Sequence, residues 1–263
     1  MILVFDVGNT ELTIGLFSES ELRGHWRIMT DVARTSDELG VLLQALLRSS
    51  GFSADVVRSA AIGSVVPRVT EPLRDACMRY FTIGDPLVID AHADLPITLD
   101  VDEPLTVGAD RLINTLAASR LFARDAIVVD LGTATTFDCI TTDGVFLGGV
   151  IAPGVRTSAE TLTRRTSKLP ATELSVPRRV IGRRTEECIQ AGVMFGAAES
   201  IDGLVRRIKE SWPRAATPIV IATGGFAETM APLCHSLDRV EPYLTLQGLQ
   251  LAHALMRGPQ AGL

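Results

Sequence analysis

The chain states one pattern twice. Residues 2–17 read ILVFDVGNTELTIGLF and residues 127–140 read IVVDLGTATTFDCI, so Asp6-Val-Gly-Asn-Thr stands in register with Asp130-Leu-Gly-Thr-Ala at an offset of 124 residues, from Asp6 to Asp130. In each copy an apolar, β-branched run ends at Asp-x-Gly, small polar residues follow and a second apolar run begins. That is the signature of two strands joined by a tight polar turn. A chain of 263 residues can hold one large domain or two modest ones. The duplication favours two, and we expect an N-terminal half at 1–115 and a C-terminal half at 116–263, with a structured boundary because no low-complexity linker separates them.

Between and beyond these turns the chain alternates. The stretch 37–50 carries Leu and Val at helical spacing behind an acidic start, 57–66 reads as a strand, and 69–81 is helical after Pro67. A short strand is expected at 86–90. The segment 108–122 places Leu112, Leu116 and Leu121 on one face of a helix that begins at Gly-Ala-Asp-Arg. Helices are expected around 157–168, 185–210 and 245–256, and a strand at 218–223. Proline, arginine and glycine without steady periodicity make 167–184 a loop or arm. Strands and helices mixed in duplicate predict α/β architecture.

Composition narrows the classes. Hydrophobic residues make up 46% of the chain without a run near twenty residues, so no membrane span is expected. The first residues end at an acid and read as a strand instead of a signal peptide, which points to a cytoplasmic protein. A formal charge of −6 argues against a protein built to wrap nucleic acid. Cys77, Cys139, Cys188 and Cys234 lack the paired spacing of a zinc site or a disulfide framework and read as small core residues. The only lysines, Lys168 and Lys209, follow Ser167 and Ile208, so the Gly-Lys-Ser/Thr of a Walker phosphate loop is absent. The four histidines are isolated from one another, and Trp26 and Trp212 read as packing residues.

Asp, Gly and Asn also suit ordinary hairpin turns. Turn chemistry alone, however, does not require the same acid, glycine and hydroxyls twice. A nucleotide clamp does: backbone N–H groups and threonine hydroxyls hold phosphate oxygens, while an aspartate holds a metal ion directly or through water. Together with the glycine turn ATGG at 222–225, the paired turns resemble the nucleotide-contacting elements of the actin-like kinase and sugar-kinase superfamily. Within it, SVVP (64–67), VGADR (107–111), GGVIAPG (148–154), TEECIQAGVMFG (185–196) and LTLQGL (244–249) resemble type III pantothenate kinase in order and spacing, nearly end to end.

The resemblance implies a duplicated actin-like, ribonuclease H-like fold and ATP-dependent phosphorylation of pantothenate, the first step of coenzyme A biosynthesis. It implies that Asp6, Val7, Gly8, Asn9, Thr10, Glu11, Leu12 and Thr13 line the ATP phosphates, with Asp6 helping to hold Mg2+. Thr133 contacts phosphate from the second turn, and Asp130 binds a monovalent cation, K+ or NH4+. Asp110 is the implied general base, and Gly108, Ala109, Asp110 and Arg111 form part of the pantothenate site. Thr185 contacts pantothenate across a homodimer interface. No nucleic acid or membrane partner is implied.

Plainer roles remain open for several of these residues. Asp110 is also an acid at a helix N-terminus, where the dipole favours it. Arg111 either anchors the substrate carboxylate or is a solvated helix arginine, and Thr185 also suits an N-cap supported by Glu186 and Glu187. Arg178, Arg179, Arg183 and Arg184 read as a solvated face. Two departures from the family pattern stand out: Val101 replaces a common aromatic ahead of Pro104, and Glu11 replaces an uncharged polar residue. A non-catalytic nucleotide-binding accessory protein, or a kinase of another small hydroxy acid, are the alternative functions.

Overall fold

A computed structural model describes residues 1–257. The chain forms two compact units, one comprising Met1–Ala117 together with the segment from Leu244, the other Ala118–Tyr243.

In the first unit β1 (Ile2–Val7), β2 (Glu11–Ser18) and β3 (Glu21–Met29) form an antiparallel meander, followed by α1 (Ser36–Ser49), β4 (Ser59–Ser64), α2 (Pro67–Phe81) and β5 (Leu87–Ile89). The sheet order is β3-β2-β1-β4-β5, with β4 parallel to β1 and β5 parallel to β4. One face of β1, carrying Leu3, Phe5 and Val7, packs with Leu43 and Leu47 of α1 and Leu73 and Phe81 of α2. The other face approaches the last helix among the described residues, since a Cβ on Gly15 of β2 would stand 3.0 Å from Val4 and 3.2 Å from Leu246. Burial on both faces is why β1 is an unbroken apolar run. Helix α1 starts with a capping box: the Glu38 amide donates to the Thr35 hydroxyl at 3.3 Å, and the Thr35 amide donates to the Glu38 carboxylate at 2.8 Å. Helix α2 starts with Pro67, whose missing N–H belongs to a position without an intrahelical partner.

A two-residue strand, β6 (Thr98–Leu99), and a 3-10 turn at Pro104–Thr106 lead into α3 (Ala109–Phe122). The second unit then repeats the plan with β7 (Ala126–Leu131), β8 (Ala134–Ile140) and β9 (Val145–Pro153), α4 (Val155–Arg165), α5 (Thr185–Glu210), β10 (Ile219–Thr223), the short α6 (Ala227–Met230) and β11 (Arg239–Val240). Its strands lie in the order β11-β10-β7-β8-β9, antiparallel from β7 to β9 and parallel from β7 through β10 to β11. The duplication seen in two turns thus extends to a shared five-strand topology. Ile127, Val129 and Phe137 pack against Met194, Ile201 and Val205 of α5. Residues 167–184 contain no helix or strand, as expected.

Several expectations change. Helix α7 (Leu244–Arg257) groups with the first unit and not with a half at 116–263, because its apolar face covers β1 and β4. The boundary falls within α3, after Ala117. Helix α3 is not one-faced: Leu112, Ile113, Asn114, Thr115, Leu116, Ala117 and Ala118 are all buried, whereas Leu121 is 46% exposed. Of the cysteines only Cys77 is fully buried, and Cys188 is exposed. Strand β3 was not anticipated. Its exposure alternates residue by residue, and only a half-buried face with Trp26 and Ile28 packs on the core. Both tryptophans do pack, with the Trp26 indole donating to Ser50 and the Trp212 indole to Asp125.

Helices α3 and α7 touch through Gly248, where a Cβ would stand 2.6 Å from both the carbonyl oxygen and Cγ2 of Ile113. Gly248→Ala should therefore destabilise the protein by about 1–3 kcal/mol, because overpacking against backbone outweighs the ~1 kcal/mol that alanine gains in helix propensity. An unchanged or raised midpoint in urea denaturation would show that these helices are not packed so closely.

Candidate active site

Asp6 is the penultimate residue of β1. It pairs with Thr13 on β2 and Gly63 on β4. Directly paired residues project from the same face of a sheet. A Cβ on Gly63 would run into Ile113 of α3 and lie 3.1 Å from Leu249 of α7. Asp6 and Thr13 consequently occupy the face that α3 and α7 cover, at the carboxyl ends of the parallel strands where open α/β sheets bind ligands.

The turn beyond Asp6 is fixed by backbone bonds. The Gly8 amide donates to the Glu11 carbonyl at 3.0 Å, and the Val65 amide, just past β4, donates to the Val7 carbonyl at 3.1 Å. Val65 links this turn to the next motif, because a Cβ on Gly108 would stand 3.4 Å from its Cγ1 and would collide with the Asp110 carboxylate. DVGNT, SVVP and VGADR, about a hundred residues apart at the extremes, are neighbours at one end of one sheet.

Asp110 lies in the first turn of α3, half-buried, with its Oδ1 accepting the Arg111 amide at 2.9 Å. Burial pushes its carboxyl above the usual carboxylate range, and the amide and guanidinium of Arg111 offset part of that rise. A partly desolvated acid thus stands at a helix N-terminus beside a glycine-lined turn. Arg111 is half-buried, so it is not simply a solvated helix arginine.

In the second unit Asp130 is again the penultimate residue of its strand, paired with Thr136 and Thr223. The Gly132 amide donates to the Ala134 carbonyl at 3.0 Å. Two glycines close over this turn. A Cβ on Gly154 would collide with the Gly132 and Thr133 carbonyls, and Gly224 has φ +87° with space for a Cβ taken by the Asp130 carboxylate and the Leu131 amide. Gly154 in turn donates its amide to the Thr133 carbonyl at 3.2 Å, and Phe226 donates to that of Leu131 at 3.1 Å. Only residues without side chains allow such approach. DLGTATT, GGVIAPG and ATGG therefore form one cradle around Asp130 and the exposed Thr133. The glycine turn at 222–225 is among the elements expected to contact nucleotide, whereas Gly154 carries no expected role in the site; the motif GGVIAPG that contains it is the available signal.

Thr185 is the first residue of α5 and is exposed, outside the hydrogen-bonded cradle. It is not the N-cap; that position is Arg184, whose side chain makes no capping bond. The local role falls to Glu187, which accepts the Arg183 amide at 2.9 Å and pairs with Arg184 and Arg179. The bond from the Arg183 amide holds the Glu187 carboxyl below its usual range.

No group of three or more His, Cys, Asp or Glu side chains among the described residues is arranged to hold a metal ion. Single carboxylates at each turn nevertheless suit cations that are also coordinated by phosphate oxygens. Among the described residues no helix is long and apolar enough to cross a membrane.

Residues 2–207 match the family model for type III pantothenate kinase. A type III pantothenate kinase from Acidothermus cellulolyticus is 43% identical over 251 residues, spanning 95% of this chain and 97% of the relative. Among solved structures, a Campylobacter jejuni protein described as a Baf family transcriptional activator is 17% identical with a TM-score of 0.58, covering 96% of this chain and 98% of that one. The activator of the 2-hydroxyisocaproyl-CoA dehydratase from Clostridium difficile, with bound ADPNP, is 13% identical with a TM-score of 0.54, covering 95% and 92%. These likenesses fix the fold as the duplicated actin-like α/β architecture. By sequence over nearly its whole length, the chain belongs to the type III pantothenate kinase family.

Proposed function

We propose that the chain transfers the γ-phosphoryl group of ATP to the primary hydroxyl of pantothenate, giving 4′-phosphopantothenate in the first step of coenzyme A biosynthesis. The observation that carries this reading, beyond family membership, is the position of the half-buried Asp110 carboxylate beside Gly108 and Val65 at the carboxyl end of the parallel strands of the first sheet. In the proposed reaction the Asp110 carboxylate takes the hydroxyl proton as that oxygen attacks the γ-phosphorus. The bond to the β-bridging oxygen breaks and ADP leaves. Phosphoryl transfer asks a protein chiefly for positioning and charge neutralisation.

Residues 6–13 line the phosphates of ATP from the first turn, and Thr133 does so from the second. Asp6 is the carboxylate for the Mg2+ that accompanies ATP, consistent with a hard ion bound by one or two carboxylates plus phosphate. Asp130, held against the bare backbone of Gly224, is assigned to a monovalent cation, K+ or NH4+. An ion bound there would offset the repulsion between this carboxylate and phosphate oxygens. Gly108, Ala109 and Arg111 join Asp110 in the pantothenate site, with the Arg111 guanidinium as the partner for the substrate carboxylate.

Thr185 is assigned to pantothenate across a homodimer interface. Supporting this, Val180 and Ile181 are 71% and 83% exposed, and Gly192 and Gly196 of α5 have open space where a Cβ would stand. Together with Phe195 these residues line a depression of about 470 Å³ that is open at the surface. An apolar patch of this kind marks an interaction surface.

Four outcomes follow. Asp110→Asn should lower kcat by roughly 10²-fold to 10⁴-fold with ATP binding retained, and near-parental turnover in that variant would remove Asp110 from the role of base. Because the base must be ionised and burial raises its pKa, kcat/KM for pantothenate should fall with decreasing pH at a value above the ~3.9 of an ordinary aspartate. A profile flat down to pH 4 contradicts this. Replacing K+ by Na+ should depress turnover, and Asp130→Asn should abolish the difference between the two salts; equal rates of wild-type protein in both would dismiss the cation site. In sedimentation velocity, Ile181→Glu should shift a dimer to monomer and reduce turnover, whereas an active monomer would rule out a shared pantothenate site.

A further inference from the structure

Each phosphate turn is held from behind by a threonine that belongs to neither copy of the repeated motif. At the end of β3 the Thr30 hydroxyl donates to the Gly8 carbonyl at 2.7 Å, and the Thr30 amide donates to the Thr10 carbonyl at 2.9 Å. In the first turn of α4 the Thr157 hydroxyl donates to the Thr133 carbonyl at 2.6 Å, which also accepts the Gly154 amide. The two come from different places in the shared topology, one from a strand end and one from a helix start. Their common feature is the target, a carbonyl inside an Asp-x-Gly turn.

That target matters because a trans peptide group is planar, with its C=O and N–H pointing in opposite directions, and the described chain has no cis peptide. Fixing the Gly8 carbonyl toward Thr30 directs the Asn9 N–H the other way. Fixing the Thr10 carbonyl does the same for Glu11, and fixing the Thr133 carbonyl does so for Ala134. Carbonyls are the groups that a phosphate would reject and amides the groups it would accept. A turn rich in glycine and small polar residues can flip its peptide planes at low cost. Hydrogen bonds from outside the turn remove that freedom before any ligand arrives, which is how preorganisation lowers the cost of binding.

We propose that Thr30 and Thr157 are positioning residues for nucleotide binding, acting through their hydroxyls on the peptide planes of the two phosphate turns. This inference rests on the assignment of those turns to ATP phosphates made above.

The test compares Thr30→Val and Thr157→Val, which keep shape and remove the hydroxyl, with Thr30→Ser and Thr157→Ser, which keep the hydroxyl. The dissociation constant for MgATP is measured by calorimetry, and KM is measured for each substrate. Each valine variant should weaken MgATP roughly fivefold to tenfold, the equivalent of one hydrogen bond, while leaving KM for pantothenate near its parental value. Each serine variant should restore MgATP binding. Unchanged MgATP affinity in the valine variants overturns the proposal. So does an equal loss for both substrates, or a serine variant as weak as valine, since either marks a general structural defect. Wild-type protein that binds MgATP but transfers nothing to pantothenate defeats the substrate assignment alone, and the affinity ratios still judge the threonines. Wild-type protein that binds no MgATP defeats both.

Discussion

A carboxylate on a strand buried on both faces is the constraint from which the rest of the molecule follows. In β1 the residues Leu3, Val4 and Phe5 are at most 1% exposed, and in β7 the residues Ile127, Val128 and Val129 are wholly buried. Placing an ionised acid within such a run would cost several kcal/mol. Asp6 and Asp130 escape that cost by standing at the carboxyl end, one residue before the chain turns, where both remain half-buried. Parallel pairing with β4 and β10 then sets the neighbours: the segments leaving those strands, 64–67 and 223–226, must emerge beside the two acids.

Once several loops converge on a single strand end, room becomes limiting. Glycine solves this at Gly154 and Gly224 in the second unit and Gly108 in the first, where a side chain would meet backbone or a carboxylate. Each such glycine forfeits about 0.5–1 kcal/mol of backbone entropy relative to alanine. The return is a surface made mostly of peptide groups, whose donors can be aimed without long, flexible side chains. Charge at the two turns is carried by acids and backbone, not by a Walker lysine.

Legibility in the sequence tracks how one-sided an element's environment is. Strands β1 and β7 were plain because burial on both faces writes an unbroken apolar run, and α1 was plain because its leucines recur at helical spacing behind an acidic start. Strand β3, with the sequence ELRGHWRIM, hides a half-buried face behind alternating charges and was passed over. Helix α3 misled in the opposite direction: Leu112, Leu116 and Leu121 marked a single apolar face, yet Asn114 and Thr115 are buried as well, and Asn114 accepts the Thr245 hydroxyl at 2.9 Å. That bond joins residues 131 positions apart, and no local period announces it. The same holds for the site. The family resemblance pointed to Asp6, Asp110 and Asp130, but the bonds from Thr30 and Thr157 to carbonyls in the turns depend on where β3 ends and α4 begins. Side chains acting on distant backbone leave no pattern in one sequence.

The two influences on Asp110 pull in opposite senses, and their balance bears on the proposed chemistry. A carboxylate in the first turn of a helix gains from the aligned peptide dipoles, typically 0.3–1 kcal/mol. The adjacent Arg111 amide and guanidinium add to that stabilisation of the charged form. Burial opposes them and prevails, so the group is a stronger base than an exposed aspartate. If desolvation acted alone, the acid would risk holding its proton at neutral pH and would have no capacity to accept another. If the dipole and the arginine acted alone, the carboxylate would be too weak a base to assist a hydroxyl. General-base efficiency rises with basicity only while the group stays ionised. A buried acid on a helix N-terminus, with an arginine next in sequence, therefore has burial and its two stabilising neighbours set against each other.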